Sequence, residues 1–390
     1  MLKKSVFYFF YLLLSANVNA APYIPDSPNQ VLEKLPKTIN SSSTTFNRLR
    51  SELSSNPNNI ALATKLAQLY IEQSRAEGDP RYLGYAQAAL TPWWKLANPP
   101  IEVLVLRATL LQSTHHFDQS LIDLGAVLKL DNTNIQAWIT RATILQVQGN
   151  YAEALQSCEQ LKTLAPPLIT LTCISNVQNL SGQAVQSYQV LKTAYTQNTD
   201  NNLGIQVWVL TLLAEMANRQ GDYIAAENYF TAVIKLENPD SYLLGAYADF
   251  LLDQKRPQQV IKLLKTKTRA DPLLLRYAEA LNMSHSNEAP AQIQMLKQTF
   301  AAATLRGDTV HQREQSRFEL RLMHNPKRAL ELAKKNWQIQ REPADARTYL
   351  EAAIAMKDKS AIVTITDWVS LNQLQDAALN HLISNPELVL

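Results

Sequence analysis

Between residues 101 and 166 the apolar, small and polar positions repeat at a spacing of thirty-four residues. With Ile101 and Ile135 as first residues of two units, Arg107, Ala108, Thr109, Leu111 and Gln112 fall on Arg141, Ala142, Thr143, Leu145 and Gln146. Further on, Leu121 falls on Leu155 and Leu130 on Leu164. This pattern predicts two amphipathic helices and a short turn per unit, stacked on the next unit, because neither helix can bury its apolar stripe alone. The second unit places Trp138 at position 4, Ala142 at 8, Leu145 at 11, Gly149-Asn150-Tyr151 at the turn, Ala154 at 20 and Pro166 at 32. Small residues at 8 and 20 let antiparallel helices approach closely, glycine supplies the turn, and proline ends the second helix.

These marks resemble the tetratricopeptide repeat family. Stretches such as DPRYLGYAQAALTPWW, LRATLLQ and YADFLLDQKRP resemble more closely an uncharacterised group of exported bacterial members. The resemblance implies an all-α, right-handed superhelix of antiparallel helix pairs, and a habit of binding protein or peptide partners in its concave face. It implies no activity.

The same register extends outward from this centre. A first repeat begins near Asn59, with Leu66, Ala67 and Tyr70 at core positions and an insertion over 75–80. Ala86, Ser120 and Ala154, like Leu90, Leu124 and Cys158, are then spaced by thirty-four. A fourth unit, about 168–199, keeps little beyond Ser181-Gly182. The fifth returns with Ala214, Gly221-Asp222-Tyr223, Ala226, Phe230 and Pro239, and the sixth with Tyr247, Ala248, Leu251 and Val260 before Asp271-Pro272. About six repeats are therefore expected over 56–285. Degenerate helical repeats are expected over 286–390, with helices at 289–306, 309–324, 326–340 and 343–356 started or stopped by proline or glycine.

The N-terminus breaks the pattern. Residues 1–20 carry Lys3 and Lys4, an unbroken apolar run from Val6 to Leu14, and small residues at the last and third-last places, which reads as a secretory signal peptide. Residues 21–55, rich in Pro, Ser and Asn, are expected as a mobile linker, with helical pattern returning over 46–53. The mature chain is then expected in a bacterial periplasm. The apolar run is too short for a permanent membrane span, and no later segment reaches the roughly twenty residues required.

Composition narrows the function classes. Gly is scarce at nine and the alternation expected of strands is largely missing, which favours all-α over mixed classes. Formal charge is +3, or +1 without Lys3 and Lys4, which is no footprint for nucleic acid. The basic residues from Lys262 to Arg269 read as a solvated helix face.

No HExxH, GxSxG, GxxxxGK[ST] or CxxC motif is present, so no catalytic residue, metal or cofactor is assigned. His115-His116 lies at a turn with no third ligand nearby, and reads as an exposed turn. Cys158 and Cys173, placed on adjacent helices, are expected to form a disulfide in an oxidising compartment. Arg107 and Arg141 stand where this repeat type places an apolar core residue. Each needs a carboxylate, with Asp118, Asp123 and Glu153 as candidates, or else points into the groove towards an anionic ligand. Concave positions include Thr64, Gln68, Glu102 and Gln136. The partner-binding set is read as Thr109, Gln112, Thr143, Gln146, Trp208, Glu215 and Arg219, whose amides and hydroxyls at regular steps suit the backbone of an extended peptide. Trp93 and Trp94 read as core and rim. The sequence thus points to an exported, non-catalytic scaffold for a partner polypeptide. The alternative is a superhelical cell-wall enzyme of lytic transglycosylase type, which would need a buried acid.

Overall fold

A computed structural model describes residues 41–199, 201–236 and 239–385. The expected signal peptide and residues 21–40 of the expected linker lie outside them. The chain divides into two compact units, Met1–Arg48 and Leu49–Leu390, and all that follows concerns the second. Helix α1 (Ser41–Ser55) spans the division. The linker expected up to residue 55 is therefore helical from residue 41, where weak helix formers extend the apolar stripe of Phe46, Leu49 and Leu53 by one turn.

Helices then alternate in pairs: α2 (Ile60–Glu77) and α3 (Arg81–Ala89), with a short α4 (Thr91–Trp94); α5 (Ile101–Ser113) and α6 (Phe117–Leu130); α7 (Ile135–Val147) and α8 (Tyr151–Glu159); α9 (Pro167–Asn179) and α10 (Ala184–Gln197); α11 (Leu203–Arg219) and α12 (Tyr223–Ile234). The alternation does not stop at residue 285. It continues with α13 (Ser241–Asp253) and α14 (Pro257–Leu264), α15 (Asp271–Met283) and α16 (Ala289–Leu305). The last pairs are α17 (Gln312–Arg321) and α18 (Pro326–Trp337), then α19 (Pro343–Ala355) and α20 (Lys359–Leu371), closed by α21 (Ala377–Ser384). The described residues contain no strand. The first helix of each pair packs on the first helix of the next, from α2 through α21, so these form an inner layer and their partners an outer one. The protein is an all-α solenoid of the tetratricopeptide type.

Close packing rests on the small positions. Ala67, Ala108, Ala142 and Ala214 of inner helices are buried, as are Ala86, Ser120, Ala154 and Ala226 of their outer partners. The Ser120 hydroxyl, fully enclosed, donates to the Ala108 carbonyl at 2.7 Å, so its burial leaves no polar atom unpaired. Cys158 of α8 and Cys173 of α9 form a disulfide, their Cα atoms 5.5 Å apart, which ties the third pair to the fourth.

Every inner-to-outer turn contains one residue of positive φ: Gly78, His115, Gly149, Gly182, Gly221, Lys255, His285, His324 and Lys357. There the chain reverses through a left-handed residue, and the next amide closes back on the inner helix. Examples are Asn150 N on Leu145 O at 2.7 Å and Asp358 N on Ala353 O at 3.0 Å. His115 thus stands in the place of a turn glycine.

The solenoid curls back on itself. The tip of the first pair meets the starts of α13 and α15. The Ser241 hydroxyl donates to the Arg75 carbonyl at 3.1 Å, Arg269 approaches Asp79 at 3.6 Å, and a Cβ on Gly78 would lie 2.6 Å from that of Ala270. Later pairs then rest on the tips of earlier ones in order. Gln340 meets His115, and the Arg341 amide donates to the Val147 carbonyl at 2.7 Å. Trp368 lies against Gly149, Gln373 against Gly182 and Ala377 against Gly221.

Exposed Lys357 occupies a conformation that costs an L-residue about 1 kcal/mol, so Lys357→Gly is expected to raise unfolding stability by up to roughly that amount. Gly78→Ala is expected to destabilise, since it adds a clash with Ala270 to the strained φ. Thermal unfolding of both variants checks the pair; a stabilised Gly78→Ala would contradict the seam described here.

Candidate functional site

Four successive inner helices carry ionisable residues three or four positions apart, which places each set on one helix face. These are Asp249 and Asp253 on α13, Arg276 and Glu279 on α15, Arg313, Arg317 and Arg321 on α17, and Arg347 and Glu351 on α19. Arg317 grips Glu279 through two nitrogens, at 2.7 and 2.6 Å, and reaches Asp249 at 2.6 Å. Arg276 holds the other oxygen of Asp249 at 2.5 Å. Arg321 clasps Glu351 at 2.8 and 2.9 Å, and Arg347 joins that carboxylate at 2.9 Å while binding both oxygens of Asp253 at 2.6 and 2.8 Å. The pairs Arg317–Asp249 and Arg347–Asp253 link helices that are not sequential neighbours in the inner layer. They draw α13, α17 and α19 around a tight curve.

Burial sets the electrostatics of this wall. For Glu351, burial would push the carboxyl up, but Arg321 and Arg347 outweigh it and hold it at about 2. Burial likewise opposes ionisation of Asp249, and Arg276 and Arg317 hold it below the ordinary range. Asp345 differs: burial raises it to about 6 against the pull of Arg313, 3.4 Å away.

These helices, with the tips of the earlier pairs, enclose a cavity of about 1660 Å³. Its lining includes Gln146, Asn176, Glu215, Arg219, Tyr242 and Asp376 together with Asp249, Asp253, Arg313, Arg317 and Arg347. Glu215 accepts from the Tyr242 hydroxyl at 2.7 Å, and burial raises its carboxyl. Arg219 donates through two nitrogens to the Asn179 side-chain oxygen, at 3.1 and 2.8 Å. Asp376 caps α21 at the Leu379 amide, 2.9 Å away, and burial raises it too.

Of the seven residues read from the sequence as a partner-binding set, the cavity brings together Gln146, Glu215 and Arg219. It does not include Thr109, Gln112, Thr143 or Trp208. Thr109 is buried and donates to the Val105 carbonyl at 2.9 Å, and exposed Thr143 donates to that of Ile139 at 3.0 Å. The expected row of free hydroxyl donors is thus turned back onto its own helices, as is Thr64 onto Ile60. Gln68 and Gln136 also bond within their helices, to Glu72 and Thr140, and Glu102 is exposed. Gln112 is half-buried, and Trp208 packs against the apolar cluster of α11 and its neighbours. Trp93 and Trp94, expected as core and rim, are both half-buried.

Arg107 finds one of its three candidate partners. It binds Asp123 at 2.7 and 2.8 Å and the Trp94 carbonyl at 2.6 Å. Arg141 meets neither Asp118 nor Glu153 side chains; it donates to the Ser157 hydroxyl, which donates to the Glu153 carbonyl. The network on α13 to α19 escaped the sequence reading, although Arg313, Arg317 and Arg321 at steps of four were a visible signal.

No family profile matches the chain, and no curated protein matches it. Among solved structures, similar ones include the human IFIT1 dimer with m7Gppp-AAAA, at 14% identity and TM-score 0.48 over 89% of this chain and 86% of that one. The Cut9–Hcn1 assembly of the APC/C matches at 13% and 0.44 over 89% of this chain, which spans only 60% of that one. A tetratricopeptide repeat protein from Parabacteroides merdae matches at 16% and 0.30, over 79% and 98%.

Arg107→Met leaves the Asp123 carboxylate enclosed without a cation, and should cost about 3–5 kcal/mol. Arg141→Met releases only a hydroxyl that keeps its backbone bond, and should cost about 1 kcal/mol. Denaturant midpoints of the two variants measure the difference; equal losses would contradict it.

Proposed function

We propose that the chain is an exported, non-catalytic interaction scaffold that holds a segment of a partner polypeptide in this cavity. The observation that carries the reading is the cavity itself. Small-molecule pockets run to about 300–1,000 Å³, and this one is larger and lined by polar groups of both signs. Its arginines are held by neighbouring carboxylates, so the wall is pre-organised, and ordering it costs little on binding. Gln146, Glu215 and Arg219 retain bonding capacity towards a peptide backbone or side chain.

Export is supported by the pattern of residues 1–20 and by the Cys158–Cys173 disulfide, which suits an oxidising compartment. No helix among the described residues is long and apolar enough to cross a membrane. The mature protein is expected to begin at Ala21, and mass spectrometry of exported protein that finds an intact Met1 would overturn this. One observation favours the second reading, a glycan-cleaving enzyme: Glu215 is a carboxyl raised by burial in a large cavity, as a general acid would be.

Crosslinking and pull-down from periplasmic extract supply the partner, and titration with purified partner supplies the test. Replacing Gln146 with Leu and Glu215 with Gln together should weaken binding roughly thirtyfold, at about 1 kcal/mol for each hydrogen bond. Gln112→Leu should leave affinity unchanged. Full affinity in a folded double variant would remove the cavity as the site. Release of soluble fragments from purified cell wall, abolished by Glu215→Gln alone, would replace the scaffold reading with the enzymatic one.

A further inference from the structure

The later pairs rest on the tip of the second pair through a histidine. His115, half-buried at positive φ in the α5–α6 turn, lies with its ring centre 5.4 Å from that of Phe117. Its Nε2 is 3.3 Å from the side-chain nitrogen of Gln340, itself buried in the connection between α18 and α19. An amide nitrogen only donates, so Nε2 must accept, and an accepting Nε2 belongs to a neutral ring. The charged and titratable groups facing it are Arg313 and Glu314 on α17, His311 at the start of that helix, and Asp308 in the preceding loop; His116, its chain neighbour, is exposed. Arg313 is already engaged by Glu342, Asp345 and Glu314. The stretch from Gly307 to His311 lines the cavity.

We propose that this contact is an acid-sensitive latch: protonating His115 unseats the loop at 307–311 and the Gln340 connection from the second tip and widens the cavity mouth. A proton on Nε2 would face the Gln340 donor, beside the Arg313 guanidinium. Turning the Gln340 amide would restore a bond, but neither the lost hydration nor the cation repulsion.

Burial first, then Arg313, lowers the ring from 6.5 to about 4. The seated state therefore has its full stability above pH 6.5 and loses it as pH falls through that window towards 4. At pH 4.5 the seated-to-open ratio should fall on the order of fiftyfold. The Arg341–Val147 bond and the apolar packing of Ile339 carry no titrating group, and Asp345, raised to about 6, takes up its proton in this window with the sign that favours the folded form, so local opening is expected and not unfolding.

Hydrogen exchange on the intact protein at pH 7.5 and 4.5, expressed as protection factors, tests the latch. Segments 306–313 and 338–342 should lose roughly fiftyfold protection, while the body of α7 keeps its own. His115→Asn tolerates the left-handed turn and takes up no proton, so its protection should stay flat with pH. Undiminished protection in the wild type, or an equal loss in the variant, overturns the proposal. Proton NMR of the wild-type ring decides the matter without any variant: titration near 6.5 also overturns it.

Discussion

The guanidinium groups on one face of α17 are the constraint on which the later half of the solenoid depends. That helix has ten residues and contributes only Phe318 as a large buried apolar side chain, so apolar burial alone cannot hold it in an inner layer. What holds it is a set of charges that must be satisfied. Glu279 and Glu351 are almost entirely enclosed, and a carboxylate there costs several kcal/mol unless cations meet it with good geometry. Such networks add little net stability over a well-packed apolar core. Their effect is selective, because only one arrangement of α13, α15, α17 and α19 satisfies Asp249, Asp253, Glu279 and Glu351 together. That arrangement sets the curvature, the curvature sets the cavity, and it also decides where later pairs land on the earlier tips.

The third and fifth repeats were legible because their turn glycines, small residues and closing prolines all stood in place. Legibility fades from the sixth pair onward for an identifiable reason. From α13 onward the left-handed turn residue is Lys255, His285, His324 or Lys357, so the glycine mark disappears while the geometry it signals persists. The final helices α20 and α21 fall in the stretch expected as degenerate helical repeats but were not placed individually. Within α17 the apolar stripe is replaced by arginines, and a charged inward face reads in sequence like a solvated one. Arg107 was legible as a buried charge in need of a carboxylate, and the structure supplies Asp123. Arg141, in the same register, meets Ser157, because the position of Asp123 is held by that serine one repeat later.

The candidate site was legible only in part, and the missing element is the second layer of pairs seated on the first. Repeat positions tell which inner-helix residues face inward, but not which stretch of the helix the returning chain will enclose. The cavity borders the tips, so Gln146, Glu215 and Arg219, late in their helices, reach it, whereas Thr109, Thr143 and Trp208 lie a turn or more earlier. Gln112 is late in α5 yet turned aside, and Leu111, Ser113 and Thr114 line the wall instead. Intrahelical bonding of Thr109 and Thr143 removes the donors that their spacing had suggested.

Paired charges, not apolar packing, hold the tight curve of α13 to α19. Small-angle scattering of Arg317→Met at neutral pH measures this directly, since that change leaves Asp249 with one cation and Glu279 with only the distant Arg321. A larger radius of gyration at unchanged helix content is predicted, as the inner wall opens to hydrate its carboxylates. A scattering profile identical to that of the unaltered protein would contradict the account.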